Sequence, residues 1–216
     1  MKLLIAIPTR DYMHFEFVKR LTDLIQKLDE DEINYKIAYQ GSTLVYIGRD
    51  KLARKAIDEG FSHVLWLDSD MVFEATLLDD LMFSGKSFVT GIAHGRRAPH
   101  FSCIFKEVYP KVDRWEYKDY PSTTFKIGGC GFACVLIETR ILKAVWDKHG
   151  TCFFPTRELG EDVAFCVKAR ECGFEIYAEP TVRLGHIGHI TIYPEYSETY
   201  ASSIQNFNEV MNNGNA

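Results

Sequence analysis

Two carboxylates, one residue apart, follow a short apolar run in the first third of the chain. Asp68 and Asp70 come directly after the apolar residues 64–67, with Ser69 between them. Along an extended backbone, side chains at i and i+2 point to the same side, so these carboxylates lie close together and repel each other. A hard divalent cation relieves that repulsion and leaves positions open for diphosphate oxygens. The pair therefore predicts a metal site, although an acidic turn or a helix cap would use the same residues.

A second acidic pair and two histidines lie in the last third of the chain. Glu161 and Asp162 follow Gly160 at the start of a predicted helix, where carboxylates complement the helix dipole or join a site. His186 and His189 come after that helix. A lone histidine is usually a structural residue, but imidazole binds Mn²⁺ beside carboxylates. A histidine here is therefore also suited to be a third metal ligand.

Glycines are concentrated at positions 128, 129 and 131, directly after a predicted strand. Glycine lets the backbone approach a ligand closely because it has no Cβ. The same residues would also suit a tight turn before the next strand. Both interpretations stay open at the level of sequence.

The elements that must position these residues alternate between strands and helices in the first half. Continuous apolar or alternating runs predict strands, and helical spacing of apolar residues predicts helices. The predicted strands cover residues 3–7, 33–39, 63–67 and 87–92, and the predicted helices cover residues 15–28, 47–59 and 76–83. This βαβαβ beginning predicts a parallel sheet whose ligand sites lie beyond the C-terminal strand ends, where Asp68 and Asp70 fall.

The second half mixes strand and helix signals less regularly. Strands are predicted over residues 101–108, 124–127, 133–137, 175–177 and 181–184, and helices over residues 138–149 and 161–171. Between the first two of these strands lies an irregular stretch with Trp115, Tyr117 and Tyr120. We interpret it as a candidate mobile loop whose rings either stack on a sugar or base, or pack inside the protein.

Composition limits the classes of function. The chain has 216 residues, 46% of them hydrophobic, which suits one domain with a sizeable core. Its formal net charge of −5 provides no basic field for non-specific nucleic-acid binding. The apolar runs are too short for a membrane span or a signal peptide. The six cysteines form no CxxC pair, so we expect a cytoplasmic protein with reduced core thiols.

The motifs occur in an order that resembles GT-A fold glycosyltransferases, particularly family-2-like and small phage or bacterial members. They are IPTR at 7–10, LDSD at 67–70, GGCGF at 128–132, GED at 160–162 and LGHIG at 184–188. The resemblance covers about residues 3–190. It implies an α/β fold, a single domain with a Rossmann-like mixed sheet flanked by helices. The catalytic domain would span residues 1–195, with a nucleotide-binding half at 1–93 and an acceptor and metal half at 94–195. Residues 196–216 would form a C-terminal helix or a frayed tail.

The resemblance also implies a role for each matched residue. Asp68, Asp70 and His186 would hold Mn²⁺ or Mg²⁺, with His189 as the alternative to His186. Asp50 stands where such enzymes often have Asn, which leaves its role open. Independently of the resemblance, Arg96 and Arg97 follow the fourth predicted strand, where they would contact phosphate or acceptor, or lie in a solvated loop. The implied donor-binding residues are Pro8, Thr9, Arg10, Arg49, Asp68, Ser69, Gly128 and Gly129.

The implied reaction transfers a sugar from a nucleotide-diphosphate sugar, by default UDP-linked, to an acceptor hydroxyl. Asp162 would be the catalytic base, and Glu161 would orient it or contact the acceptor. The pattern favours inversion, although retaining enzymes of this fold share its motifs. The acceptor stays open among glycans, proteins, lipids, small molecules and modified nucleic-acid bases.

Three other functions use some of the same residues. A haloacid-dehalogenase-like phosphohydrolase would use Asp68 as nucleophile and Asp70 as general acid, but that family usually has this motif on its first strand and a later GDxxxD-like segment. Here the motif follows the third predicted strand, and residues 160–165 lack the second acidic spacing. A nucleotidyltransferase acting on sugar phosphates usually has a glycine-rich loop after the first strand, and residues 8–12 contain no glycine. A non-catalytic nucleotide-sugar-binding module is the third alternative, and the intact acidic pair with Asp162 and His186 disfavours it.

Overall fold

The computed structural model describes residues 1–10, 12–97, 99–109 and 111–188. His189 and the C-terminal segment predicted at 196–216 lie outside the described residues.

The βαβαβ unit predicted for the first half is confirmed. It consists of β1 (Lys2–Thr9), α1 (Phe15–Glu30), β2 (Asn34–Gly41), α2 (Val45–Asp58) and β3 (His63–Leu67). β1 pairs in parallel with both β2 and β3. The place of β1 between β2 and β3 follows from its sequence, because the apolar residues from Leu3 to Ile7 are all fully buried.

The rest of the chain adds nine short strands, three helices and a 3₁₀ turn. In chain order these are β4 (Met71–Val72), α3 (Leu77–Phe83), β5 (Phe88–Gly91), β6 (Ile104–Glu107), β7 (Asp113–Arg114), the 3₁₀ turn (Tyr117–Asp119), β8 (Phe125–Ile127), β9 (Gly129–Cys130), β10 (Cys134–Glu138), α4 (Thr139–His149), α5 (Glu161–Glu171), β11 (Ile176–Glu179) and β12 (Gly185–His186). Both helices predicted here are confirmed, α4 within one residue of its predicted start and α5 at its predicted bounds.

The main sheet has seven strands in the order β2-β1-β3-β10-β5-β11-β8. β10 enters the sheet antiparallel to both β3 and β5, and β11 is parallel to β5. Helices α2, α4 and α5 pack on one face of the sheet, and α1 and α3 pack on the other. The predicted single-domain α/β fold with a mixed, helix-flanked sheet is therefore confirmed.

The strand predicted at residues 181–184 is wrong: the strand here is β12, which begins at Gly185. The carboxylate of Glu179 instead accepts hydrogen bonds from the backbone N–H of Thr181 at 3.1 Å and from its hydroxyl at 2.7 Å, which fixes a turn. The apolar residues of the segment pack against the sheet. Leu184, for example, lies so close to Gly91 that a Cβ added to this glycine would be 2.7 Å from it.

All six cysteines are free thiols, four of them buried and two partly buried, as expected for core thiols. Of the helices in the described ranges, none has the length and apolar character needed to cross a membrane.

Candidate active site

A cleft of about 680 Å³ opens at the C-terminal ends of β1 and β3. Its volume lies in the range of small-molecule sites. Residues from both halves of the chain line it: Pro8, Thr9, Arg10, Tyr12, His14, Gln40, Ser42, Val45, Gly48, Arg49, Asp68, Ser69, Asp70, Arg96, Cys103, Gly131, Phe132, Ala133, Glu161, Asp162, His186 and Ile187. The structure thus brings together all the predicted site residues except Gly128 and Gly129.

Pairing between two short strands places His186 beside the acidic pair. β12 pairs antiparallel with β4, which puts His186 opposite Met71, one residue after Asp70. Nε2 of His186 lies 3.5 Å from Oδ1 of Asp70. Nδ1 of His186 lies 2.7 Å from the carbonyl oxygen of His94. Because a carbonyl only accepts, Nδ1 carries a hydrogen, and Nε2 is the nitrogen that faces Asp70 or a cation.

Arg49 is a buried cation that joins the two acidic pairs. Its Nη2 lies 2.8 Å from Oδ1 of Asp68, and its Nε lies 3.7 Å from Oε1 of Glu161. Its Nη1 donates to the carbonyl oxygen of Phe132 at 3.2 Å. Although 31% of the Asp68 side chain is exposed to the cleft, burial among protein atoms raises the pKa of Asp68, and the charge of Arg49 opposes that rise.

Each oxygen of Asp70 has a side-chain partner. Oδ2 lies 2.7 Å from Nη1 of Arg96, whose side chain is 54% exposed, and Oδ1 faces His186. Partial burial alone would raise the pKa of Asp70. The hydrogen bond to His186 and the charges of His186 and Arg96 outweigh burial, so the pKa of Asp70 lies below its usual value. The same hydrogen bond raises the pKa of His186.

These residues fit a divalent cation in part. Within the described ranges, no three His, Cys, Asp or Glu side chains are arranged to hold one metal ion. Asp70 and His186 are two donors of the right type, and the bond from His186 to a carbonyl is a common outer-shell contact of a histidine ligand. Asp68 lies in the same cleft, but one of its oxygens is paired with Arg49. The predicted ligands therefore share one cleft without converging on one point.

Asp162 occupies the first turn of α5 and has the environment of an acid–base group. Its Oδ1 accepts a hydrogen bond from the N–H of Val163 at 2.7 Å. Its Oδ2 points towards Gly131, where an added Cβ would lie 3.4 Å away. Burial, followed by the charge of Glu161, raises the pKa of Asp162 to about 6. A carboxyl group with that pKa is suited to accept a proton near neutral pH.

Comparison with solved structures identifies the fold. No family model matches the sequence, and no curated protein matches it. The A197 protein from STIV has a similar structure, with 19% sequence identity, a TM-score of 0.58, and coverage of 87% of this chain and 86% of that one. The catalytic domain of Drosophila beta1,4-galactosyltransferase 7, solved with xylobiose, has 13% identity and a TM-score of 0.53, covering 92% of this chain and 79% of that one. The fold is GT-A-like.

GalNAc-T7, solved with UDP, GalNAc and Mn²⁺, shares the GT-A-like fold at 11% identity and a TM-score of 0.51. The similarity covers 87% of this chain and 44% of that one. At such identities the comparisons establish architecture only. Function must therefore be argued from the residues in the cleft of this GT-A-like domain.

Two of the predicted donor-binding glycines have a packing role in the GT-A-like domain. A Cβ on Gly128 would lie 2.5 Å from the carbonyl oxygen of Lys106, and one on Gly129 would lie 3.0 Å from Val108. Neither glycine lines the cleft; Gly131 does. All three glycines lie in one short stretch of sequence. Only the pairing of β9 with β6 shows that Gly128 and Gly129 are packing positions and that Gly131 is the one at the cleft.

Asp50 also has a structural role. Its Oδ1 accepts hydrogen bonds from the N–H of Cys152 at 2.9 Å and of Phe153 at 2.7 Å, and its Oδ2 accepts one from the Thr151 hydroxyl. These bonds tie α2 to the segment after α4. The carboxylate at this position therefore satisfies backbone donors, which no local sequence pattern indicates.

Sequence reasoning missed several residues that line the cleft. Tyr12, His14, Gln40, Ser42 and Cys103 belong to no motif, and only the tertiary fold brings them to the cleft. Of the two arginines considered for phosphate or acceptor contact, Arg96 lines the cleft and Arg97 does not.

Proposed function

We propose that this protein is a metal-dependent glycosyltransferase that transfers a sugar from a nucleotide-diphosphate sugar to an acceptor hydroxyl. One observation carries the proposal: a single cleft of the GT-A-like fold gathers Asp68, Asp70, His186 and Asp162 from both halves of the chain. Cation ligands and a carboxyl group with a raised pKa are the two chemical functions that this reaction needs.

The donor occupies the part of the cleft formed by the first half of the chain. Pro8, Thr9 and Arg10 line it at the end of β1, and Gln40 lines it near the end of β2. A similar structure, that of GalNAc-T7, was solved with UDP, which supports a UDP-linked donor here. Guanidinium groups bind phosphate oxygens through paired N–H donors, so Arg10 and Arg96 are the residues of the cleft that suit the diphosphate.

The cation would be Mn²⁺ or Mg²⁺, and Asp70 and His186 would hold it with Asp68 beside them. When bound, it supplies positive charge that stabilises the diphosphate as it leaves. The presence of Mn²⁺ in the GalNAc-T7 structure supports this assignment. Arg49 orients Asp68, because its buried guanidinium is bonded both to Oδ1 of Asp68 and to the backbone of Phe132.

Asp162 removes the proton from the acceptor hydroxyl. Its Oδ1 is engaged by the N–H of Val163, so Oδ2, which faces Gly131, is the oxygen that accepts the proton. The hydroxyl oxygen attacks the anomeric carbon as the bond to the diphosphate breaks. A single displacement of this kind inverts the anomeric configuration. Glu161 faces Arg49 and so contributes to the position of the helix start that carries Asp162.

The experiment is incubation of the protein with UDP- and GDP-sugars in the presence of Mn²⁺, Mg²⁺ or EDTA, with release of nucleotide as the readout. We expect metal-dependent release of UDP from at least one donor and its loss in Asp162→Asn. Glu158→Gln is the matched control, because Glu158 is an exposed acid shortly before α5. Metal-independent release, or equal rates in Asp162→Asn and the wild type, would overturn the proposal.

A further inference from the structure

An aromatic cluster lies beside the cleft and has no part in the reaction proposed above. It contains His94, Trp115, Tyr117, Tyr120 and Phe125. The rings of Tyr117 and Tyr120 meet edge to face with centroids 5.6 Å apart, and that of His94 lies 6.4 Å from Tyr117. The side of the cluster away from the core is open, since Tyr117 is 79% exposed.

Two backbone connections place the cluster at the rim of the cleft. The carbonyl oxygen of His94 accepts the hydrogen bond from Nδ1 of His186, so the residue that carries one ring also orients a cleft histidine. His94 further pairs with Ser102 in an isolated bridge, and the next residue, Cys103, lines the cleft. A Cβ on Gly131 would contact both Cys103 and Asp162, so this is the side on which the proposed base lies.

The inner rings of the cluster are held in place by packing. Trp115 and Phe125 meet at 4.8 Å between centroids, and Tyr120 lies 6.2 Å from Phe125. The hydroxyl of Ser102 donates to the carbonyl oxygen of Trp115 at 2.9 Å. The outer rings of His94, Tyr117 and Tyr120 therefore rest on a fixed base, which lowers the entropic cost of binding a ligand against them.

The outer part of the cluster combines ring faces with hydrogen-bonding groups. The hydroxyl of Tyr120 lies 3.4 Å from Nε2 of His94. Both nitrogens of an imidazole take part in hydrogen bonds, so His94 and Tyr120 together provide donors and acceptors. Residues 104–120 contain four cationic and four acidic side chains, so the surface has no net charge to attract a phosphate backbone.

We propose that His94, Tyr117 and Tyr120 form an acceptor subsite that binds a sugar ring, so that the acceptor is a glycan or a glycoside. The inference rests on the proposed function, because it is the base at Asp162 that makes this rim the acceptor side. The C–H groups on one face of a sugar carry partial positive charge and suit the negative face of an aromatic ring. Its hydroxyls would bond to the Tyr120 hydroxyl and the free nitrogen of His94.

The experiment is saturation-transfer-difference NMR on the full chain with UDP and Mn²⁺. The probes are methyl β-glycosides of glucose, galactose, xylose and N-acetylglucosamine, with a short single-stranded oligonucleotide as a second class of ligand. We expect saturation of the ring C–H protons of at least one glycoside, about fivefold weaker in Tyr117→Ala. Tyr109→Ala is the matched control, because Tyr109 is 65% exposed in the same half of the chain and outside the cluster.

The outcomes separate this inference from the proposed function. If the wild type binds UDP with Mn²⁺ but no glycoside is saturated, or Tyr117→Ala leaves the saturation unchanged, the acceptor subsite is wrong and the donor site stands. Saturation of the oligonucleotide alone would also overturn the sugar assignment. If UDP is not bound either, the proposed function itself fails.

Discussion

Nη2 of Arg49 lies 2.8 Å from Oδ1 of Asp68, and the side chain of Arg49 is only 4% exposed. The same guanidinium faces Glu161 and bonds to the backbone of Phe132. Arg49 comes from α2, Asp68 from the end of β3 and Glu161 from α5. One buried cation therefore sets the spacing between the acidic pair of the donor side and the helix that carries the proposed base.

Replacing Arg49 with Met removes that cation and leaves Asp68 partly buried without a partner. We expect the free energy of unfolding to fall by about 2–4 kcal/mol, since an unpaired charge is costly in such a place. Transfer activity should fall at least tenfold. Thermal unfolding monitored by circular dichroism measures the first effect.

The control is Arg54→Met on the same helix. Arg54 forms a half-exposed pair with Asp58, so the substitution should change the stability by less than about 0.5 kcal/mol. Equal losses of stability in the two variants would show that Arg49 is not a structural link between the motifs.

The sequence was sufficient to predict the βαβαβ half of the fold and the gathering of its acidic pair near a late histidine. The buried run in β1 and the position of Asp68 after β3 are local signals. The place of β10 between β3 and β5 was not predictable, because it depends on pairing between distant segments. The different roles of Gly128 and Gly131 likewise depend on tertiary contacts, as do the hydrogen bonds that Asp50 accepts from the segment after α4.

The pKa of Asp162 predicts the pH dependence of transfer. The base must be ionised, and its pKa is raised to about 6, so kcat/KM should rise about tenfold per pH unit below 6 and reach a plateau above it. A divalent cation bound nearby lowers that midpoint somewhat. The measurement is nucleotide release at acceptor concentrations well below KM, between pH 5 and 8. A profile that is flat from pH 5 to 7 would contradict the assignment of Asp162 as the base.

Because the pKa of Asp162 is raised, its ionised form destabilises the folded state at neutral pH. Protonation favours the folded state, so this group contributes stability below its ordinary pKa of 3.8 and the contribution is lost as pH rises through about 6. The free energy of unfolding of Asp162→Asn should therefore exceed that of the wild type by about 3 kcal/mol at pH 7.5 and by about 0.5 kcal/mol at pH 4. Urea unfolding at the two pH values tests this. A gain that is independent of pH would mean that ionisation is not its cause.

In the proposed site, Arg96 would compete with the divalent cation for Asp70. Its Nη1 lies 2.7 Å from Oδ2 of Asp70 and its side chain is half exposed, so it can be displaced. Removing this charge in Arg96→Ala should tighten Mn²⁺ binding about 3- to 10-fold in the absence of nucleotide, measured by electron paramagnetic resonance of free Mn²⁺. Arg97→Ala is the matched control, because Arg97 does not line the cleft. Unchanged Mn²⁺ affinity in Arg96→Ala would argue against Asp70 as a ligand.

Of the glycines after β8, we expect Gly128 to be needed for stability and Gly131 for activity. A Cβ at position 128 would lie 2.5 Å from the carbonyl oxygen of Lys106. Because this backbone atom cannot move aside without distorting the fold, Gly128→Ala should lower the free energy of unfolding by about 1–3 kcal/mol. A Cβ at position 131 would lie 3.4 Å from Oδ2 of Asp162, which the fold can accept. It would occupy the space in which the acceptor hydroxyl meets the base, so Gly131→Ala should lose about tenfold or more in turnover with stability nearly unchanged. Thermal unfolding and nucleotide release measured on both variants give the comparison. If Gly131→Ala turned over normally, the acceptor hydroxyl would have to approach Asp162 from a side other than the one that Gly131 keeps open.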